Sequence, residues 1–447
     1  MTEQSRLFRR IEGDFYMIKQ AHWKKRLAVA LTGGLLMLNT VIALAAPVEL
    51  TLEDSIAMAL NSNPAIKMTD ADRKSAELQI NIAKGEKLPA LTISHSDNIF
   101  HSGADLDTDY TTSVSLGLNL YTGGKTESDI SSAKLKLKVA DSAVEQSKQK
   151  IKLDATNDYF TILQTKNSLK VSQEAVDQME VHLKNVQAQY AVGTVAKSDV
   201  LRSEVELANN QQALIKAKNA YDLAISNLNN VIGLPLDTDV IVKDELKHEK
   251  YTLTLTDSIQ YALTHRPEAI QADYSIDVAK EAVKGYKAGK LPTVSATAKT
   301  GWKDKDFPGA DNNSWSIGLA ASWTPFDSGV TNAKIKQSDS AVVKAVEQAR
   351  QTKDTVQLDV RQAYLNMSEA EKRIDTTQVA VEKAEEDFKI AQVRYSAGVG
   401  TNTDVIDAQV ALTTAKNNYI QAMYDFNTNK ASLIKAMGVP VVEAKNK

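Results

Sequence analysis

The chain is 447 residues long, with 53 basic against 56 acidic side chains, aromatics at 6% and no cysteine. That composition excludes a disulfide framework and a thiolate metal site, and nucleic acid is not the partner it suits. The scarcity of aromatics, with Ala, Gln, Lys, Asn and Asp abundant in the segments that read as helical, favours narrow helix seams over a thick globular core.

Residues 1–45 stand apart as an N-terminal extension and signal peptide. Lys24-Lys25-Arg26 precedes the apolar run Leu27 to Leu44, which closes with Ala43-Leu44-Ala45 before Ala46-Pro47. This is the order of a basic n-region, an apolar h-region and a small-residue cleavage site. The run is also long enough for an uncleaved membrane anchor. Met17 is a candidate start. Without residues 1–45 the chain keeps 46 basic against 53 acidic side chains, and it has no Cys to carry an N-terminal lipid.

The rest reads as one supersecondary unit built twice. Lys87-Leu88-Pro89 returns 203 residues later as Lys290-Leu291-Pro292, and Asp54-Ser55-Ile56 returns as Asp257-Ser258-Ile259. Beyond the strands the offset is 205: Tyr159, Tyr190, Gly193, Asp199-Val200, Gly233 and Pro235 return as Tyr364, Tyr395, Gly398, Asp404-Val405, Gly438 and Pro440. Repeat 1 is expected over 46–235, an equatorial linker over 236–252, repeat 2 over 253–440 and a tail over 441–447. Each repeat is a helix, two strands, a long helix and a return helix.

The strands, within 90–121 and 292–324, show period-two alternation. Val114, Leu116, Leu118 and Leu120 point one way, Ser113, Ser115, Gly117 and Asn119 the other. Trp315, Ile317, Leu319, Ala321 and Trp323 likewise oppose Ser316, Gly318, Ala320 and Ser322. In the strand from Thr293, Val294, Ala296, Ala298 and Trp302 oppose Ser295, Thr297 and Lys299. Such strands suit membrane lipid, and Trp302, Trp315, Trp323, Tyr110 and Tyr121 at their ends suit its aromatic girdles. Asp97 to Asp109 and Lys303 to Asn313 read as extracellular loops. Four strands cannot close a barrel in a bilayer, where an open edge leaves backbone groups unpaired. Three copies give twelve strands and an aqueous lumen, so a homotrimer is expected.

The long helices are expected at 125–191 and 330–396, free of proline and glycine and about 100 Å long each. The seam Val176, Met179, Leu183, Val186, Tyr190 has coiled-coil spacing and is echoed by Val381, Ala384, Phe388, Ala391, Tyr395. Gly193 and Gly398 close these helices. Return helices follow at 198–232 and 403–437, with Ser198 and Thr403 as N-caps.

On the opening Leu52-Glu53-Asp54-Ser55-Ile56 with Asn63-Pro64, the turns Tyr121-Thr122-Gly123-Gly124 and Pro325-Phe326-Asp327-Ser328-Gly329, and the two tips, the chain resembles the TolC family of outer-membrane channel proteins from Val48 to Pro440. The resemblance implies an α+β membrane protein. Each chain would give four strands to a trimeric 12-stranded outer-membrane barrel, continued by a coiled-coil helical tunnel across the periplasm. It implies as partners a periplasmic adaptor (membrane fusion protein) and an inner-membrane pump or ABC exporter. It places adaptor contacts on Val192-Gly193-Thr194 and Ala397-Gly398-Val399.

Asp404 and Asp407 look like the family's periplasmic gate. Spacing of three residues puts both on one helix face, and threefold symmetry makes two carboxylate rings that draw cations and raise each other's pKa. Asp404 in a first turn also complements the helix dipole. The family's gate can include an arginine where this chain has Gly400, so closure is expected to depend on Tyr395 with Asp199 and on ring-bound cations.

No nucleophile motif, phosphate-cradling loop or metal-ligand spacing among the six histidines is present, so neither enzymatic activity nor a cofactor is expected. Two rivals to an export channel are a periplasmic coiled-coil adaptor and a structural coiled coil. Two hairpins and two lipid-suited strand pairs favour the channel.

Overall fold

The computed structural model describes residues 47–102, 105–305 and 312–441. The signal-peptide segment 1–45, tail residues 442–447 and the loop centre 306–311 lie outside the described residues. The elements of repeat 1 are β1 (Val48–Leu50), α1 (Leu52–Ser62), α2 (Pro64–Gly85), β2 (Ala90–Ser102), β3 (Asp105–Tyr121), α3 (Lys125–Ala191) and α4 (Lys197–Ile232). After β4 (Val240–Val242) come α5 (Leu255–His265), α6 (Pro267–Ala288), β5 (Thr293–Asp304), β6 (Asn312–Ser322), α7 (Val330–Ser396) and α8 (Asn402–Ala436).

Local chemistry sets the breaks. α1 starts in a capping box in which Thr51 Oγ1 accepts from the Asp54 amide and the Asp54 carboxylate accepts from the Thr51 amide, each at 3.2 Å. Asn63 precedes Pro64, which drives it to extended backbone and ends α1, and its Oδ1 then accepts from Ala65 N at 2.9 Å to cap α2. Arg266-Pro267 makes the same break in repeat 2, but the arginine has no side-chain acceptor and caps nothing. Instead its buried guanidinium pairs with Glu268 at 3.1 Å and Asp359 at 2.8 Å, tying α6 to α7.

One antiparallel sheet runs in the order β2-β3-β5-β6. Its register aligns Ile93, Val114, Thr300 and Trp315 in one row and Leu116, Ala298 and Ile317 in the next. The apolar residues of the alternation therefore share one face, and that face is open: Ile93 is 70% exposed, Ile317 77% and Leu319 76%. Tyr110, Trp302 and Trp315 stand on it, and a register shift between Asn119 and Tyr121 brings Tyr121 onto it beside Val294. Trp323, just past β6, donates from Nε1 to the Lys290 carbonyl at 3.1 Å. The segment Asp97 to Asp109 differs from expectation. Asp97–Ser102 and Asp105–Asp109 are strand, paired one to one. Beyond the apolar rows Ile99 and Phe100 fall on opposite faces among polar residues, so the ladder continues where the alternation that reveals a strand has ended.

The helices pack as two hairpins, α3 with α4 and α7 with α8, and α3 also packs along α8. Val356, Val360 and Met367 of α7 form one core cluster with Phe426 and Leu433 of α8, and Tyr159 and Ile162 of α3 are fully buried. The linker wraps this level. β4 pairs with β1, and Asp244 accepts from the buried Tyr159 hydroxyl at 2.7 Å and from Leu52 N at 2.9 Å.

Candidate functional site at the hairpin tips

Each long helix ends in the same backbone motif. After α3, Gly193 at φ 78° lets Thr194 N reach the Gln189 carbonyl at 3.0 Å, and after α7, Gly398 at φ 74° lets Val399 N reach Arg394 O at 3.0 Å. A left-handed residue is needed to turn the last amides back onto the orphan carbonyls. Val192 and Val399 project outward, 75% and 68% exposed, and a Cβ on either glycine would meet nothing within 4 Å. Both turns thus present small, open surface.

Beneath them the two hairpins fuse. Val186 of α3, Val200 of α4, Phe388, Ala391 and Tyr395 of α7, and Val405, Ala408 and Leu412 of α8 form one apolar cluster. Asn402, the first residue of α8, is buried at its edge. Its Oδ1 accepts from Ser203 Oγ at 3.2 Å and lies 2.6 Å from His182 Nε2, while its Nδ2 donates to the Asp199 carbonyl at 3.0 Å. Burial pushes the His182 imidazole down, which keeps it neutral in this setting. Sequence reasoning missed Asn402, His182 and Ser203, and no motif joins residues 220 positions apart.

The return-helix caps also differ from expectation. α4 starts one residue before Ser198, with Ala196 at the N-cap and no side-chain bond. α8 starts one residue before Thr403, and Thr401 is its N-cap. Thr401 Oγ1 accepts from Asp404 N at 3.1 Å and Asp404 Oδ2 accepts from Thr401 N at 2.9 Å. The signal Thr401-x-x-Asp404 was present in the sequence. Thr403 Oγ1 instead accepts from Arg202 Nη1 at 2.6 Å, a second link between the hairpins.

Asp404 and Asp407 are both exposed, on one face of the first turns of α8. Within one protomer the amide of Thr401, then its side chain, holds the Asp404 carboxyl below its ordinary value. Tyr395 and Asp199 are near one another but not bonded. Burial, then the charge of Asp199, pushes the Tyr395 phenol up. Yet its Oη is buried with no hydrogen-bond partner among the described residues. The Tyr395 ring is held in the apolar cluster and leans on His182 at 5.1 Å between centroids, so within one protomer no hydrogen bond joins Tyr395 to Asp199 and the link from Asp199 to α8 runs through its backbone. Gly400 fits the turn closely, since a Cβ there would stand 3.0 Å from Tyr395 N.

This pairing of repeated hairpins has known counterparts. A family model described as outer membrane efflux protein matches residues 55–234 and 258–439. The chain belongs to that family. Among outer membrane efflux proteins and their relatives, it is 25% identical over 393 residues to the outer membrane protein TolC of Escherichia coli (strain K12), covering 84% of this chain and 80% of TolC. It is 25% identical over 260 residues to the alkaline protease secretion protein AprF of Pseudomonas aeruginosa, covering 57% of this chain and 54% of AprF. In fold it matches the Campylobacter jejuni CmeC outer membrane channel with a TM-score of 0.77 at 16% identity, over 88% of this chain and 87% of CmeC.

Proposed function

We propose that this outer membrane efflux protein is the exit duct of an efflux pump or type I secretion system, a passive gated channel and not an enzyme. Three copies close a 12-stranded barrel by joining β6 of one to β2 of the next. The observation that carries this reading is the sheet: one face is apolar and exposed, and its two outer strands lack a second partner among the described residues. In hydrocarbon both features demand further copies and lipid.

Energy comes from an inner-membrane pump or ABC exporter, reached through a periplasmic adaptor that grips Val192-Gly193-Thr194 and Ala397-Gly398-Val399. At those tips Asp404 and Asp407 form two carboxylate rings that concentrate cations. The Asn402 bridge between hairpins holds the helix turn that carries both carboxylates. The aromatic side chains Tyr110, Tyr121, Trp302, Trp315 and Trp323 sit at the membrane interfaces.

The test is conductance of the purified chain in a planar bilayer, with and without a trivalent cation on the tip side. Channels blocked by the cation, with block lost in Asp404→Asn/Asp407→Asn, support pore and gate together. Protein that never conducts defeats the duct reading.

A further inference from the structure

Lys299 is an unusual charge for its place in the sheet. It lies in the middle of β5, opposite Ser115 of β3 and Ser316 of β6, on the face that carries the small polar residues. Its neighbours in register, Ala298 with Leu116 and Ile317, belong to the apolar face, so Lys299 sits at the depth of the lipid-facing rows. The side chain is exposed. Four residues further along the same face, Lys303 is neutralised by Asp109 at 2.8 Å. No carboxylate among the described residues pairs with Lys299, and β5 is an interior strand, so a role in guarding a sheet edge does not account for it. An unpaired ammonium at hydrocarbon depth requires water, and in transmembrane segments such groups mark solute pathways.

We propose that Lys299 is a charge-selecting residue of the duct. In the trimer, three copies form a ring of ammonium groups in the barrel lumen that favours anionic solutes over cations. The inference rests on the trimeric barrel proposed above and adds a filter opposite in sign to the carboxylate rings at the tips. Gly117 and Gly318, one layer away, leave open space where a Cβ would stand, so nothing there obstructs the lysine.

The experiment measures the chloride-to-potassium permeability ratio from the reversal potential under a KCl gradient, in the Asp404→Asn/Asp407→Asn background so that the tips do not mask the barrel. Three charges acting across a wide, salt-screened lumen set the scale: the ratio falls about threefold in Lys299→Gln, further in Lys299→Glu, and holds in Lys299→Arg. Because the chain has no cysteine, Lys299→Cys provides a single thiol. A membrane-impermeant cationic thiol reagent restores the ratio, and an anionic one lowers it. An unchanged ratio in conducting Lys299→Gln channels, or a thiol that water-borne reagents do not reach, overturns the proposal. If the unsubstituted protein does not conduct, the duct reading itself fails and takes this inference with it.

Discussion

At the first tip Tyr190 is 44% exposed, with Lys197 Nζ 5.6 Å from its ring centre; at the second, Tyr395 is 7% exposed and enclosed by both hairpins. The first return helix begins at uncapped Ala196 and the second in the box between Thr401 and Asp404. The glycine turns that precede them are the same. Duplication has kept the backbone solution, which depends on one left-handed residue, while the side chains around it have divided their work. Val186 and Val200 of the first hairpin help enclose the second tip's Tyr395.

Substitutions at equivalent positions should separate these roles. The largest expected contrast is Tyr395→Ala against Tyr190→Ala. Emptying the buried site should cost about 3–5 kcal/mol and the exposed one about 1 kcal/mol or less, read from thermal unfolding followed by circular dichroism. Equal losses would show that the tips are equivalent after all.

Next comes the cap. Thr401→Ala should cost about 1 kcal/mol, whereas Ser198→Ala should fall within about 0.5 kcal/mol of the parent, since Ser198 is no cap. The Asp404 carboxyl is lowered in the fold, so what it contributes is fully present above its unfolded value near pH 4 and is lost as pH falls through the lower folded value. The penalty of Asp404→Asn, which removes the charge itself, should therefore shrink below about pH 4, and unfolding curves of the two proteins across that range would reveal a constant gap if the box were idle.

The smallest effect is Tyr395→Phe. It removes a hydroxyl that is buried without a partner among the described residues, so it should be neutral or stabilising by about 1 kcal/mol, and resting conductance should stay as it was. A clear loss of stability, or a leaky channel, would mean that the hydroxyl holds a bond in the assembled gate.

The sharing of faces in the sheet was legible in the sequence because period-two alternation is a local property of Val114, Leu116, Ile317 and Leu319. The strand at Asp97–Ser102 was not, because Ile99 and Phe100 fall on opposite faces and break the alternation, while backbone hydrogen bonds leave no mark on the sequence. Of the two threonines near the start of α8, the true cap was the one with an aspartate three residues on, and Thr403 distracted from it. The bridge through Asn402, His182 and Ser203 depends on two hairpins meeting in space, which no local pattern encodes. Lys299 could be placed on the polar face from alternation alone; that it lacks a carboxylate partner among the described residues required the structure.

Neither 67-residue helix contains a glycine or proline, and each springs from a left-handed glycine, Gly124 at φ 92° or Gly329 at φ 87°. Such a rod has no internal joint. A lever of about 100 Å multiplies whatever happens at its pivot: a tilt of about 1° displaces the far end by about 1.7 Å, and about 3° moves it a full helical pitch. On the reading proposed above, an adaptor pulling at Val399 would work with the mechanical advantage of the whole arm, against the apolar cluster and the Asn402 bridge that hold the tip.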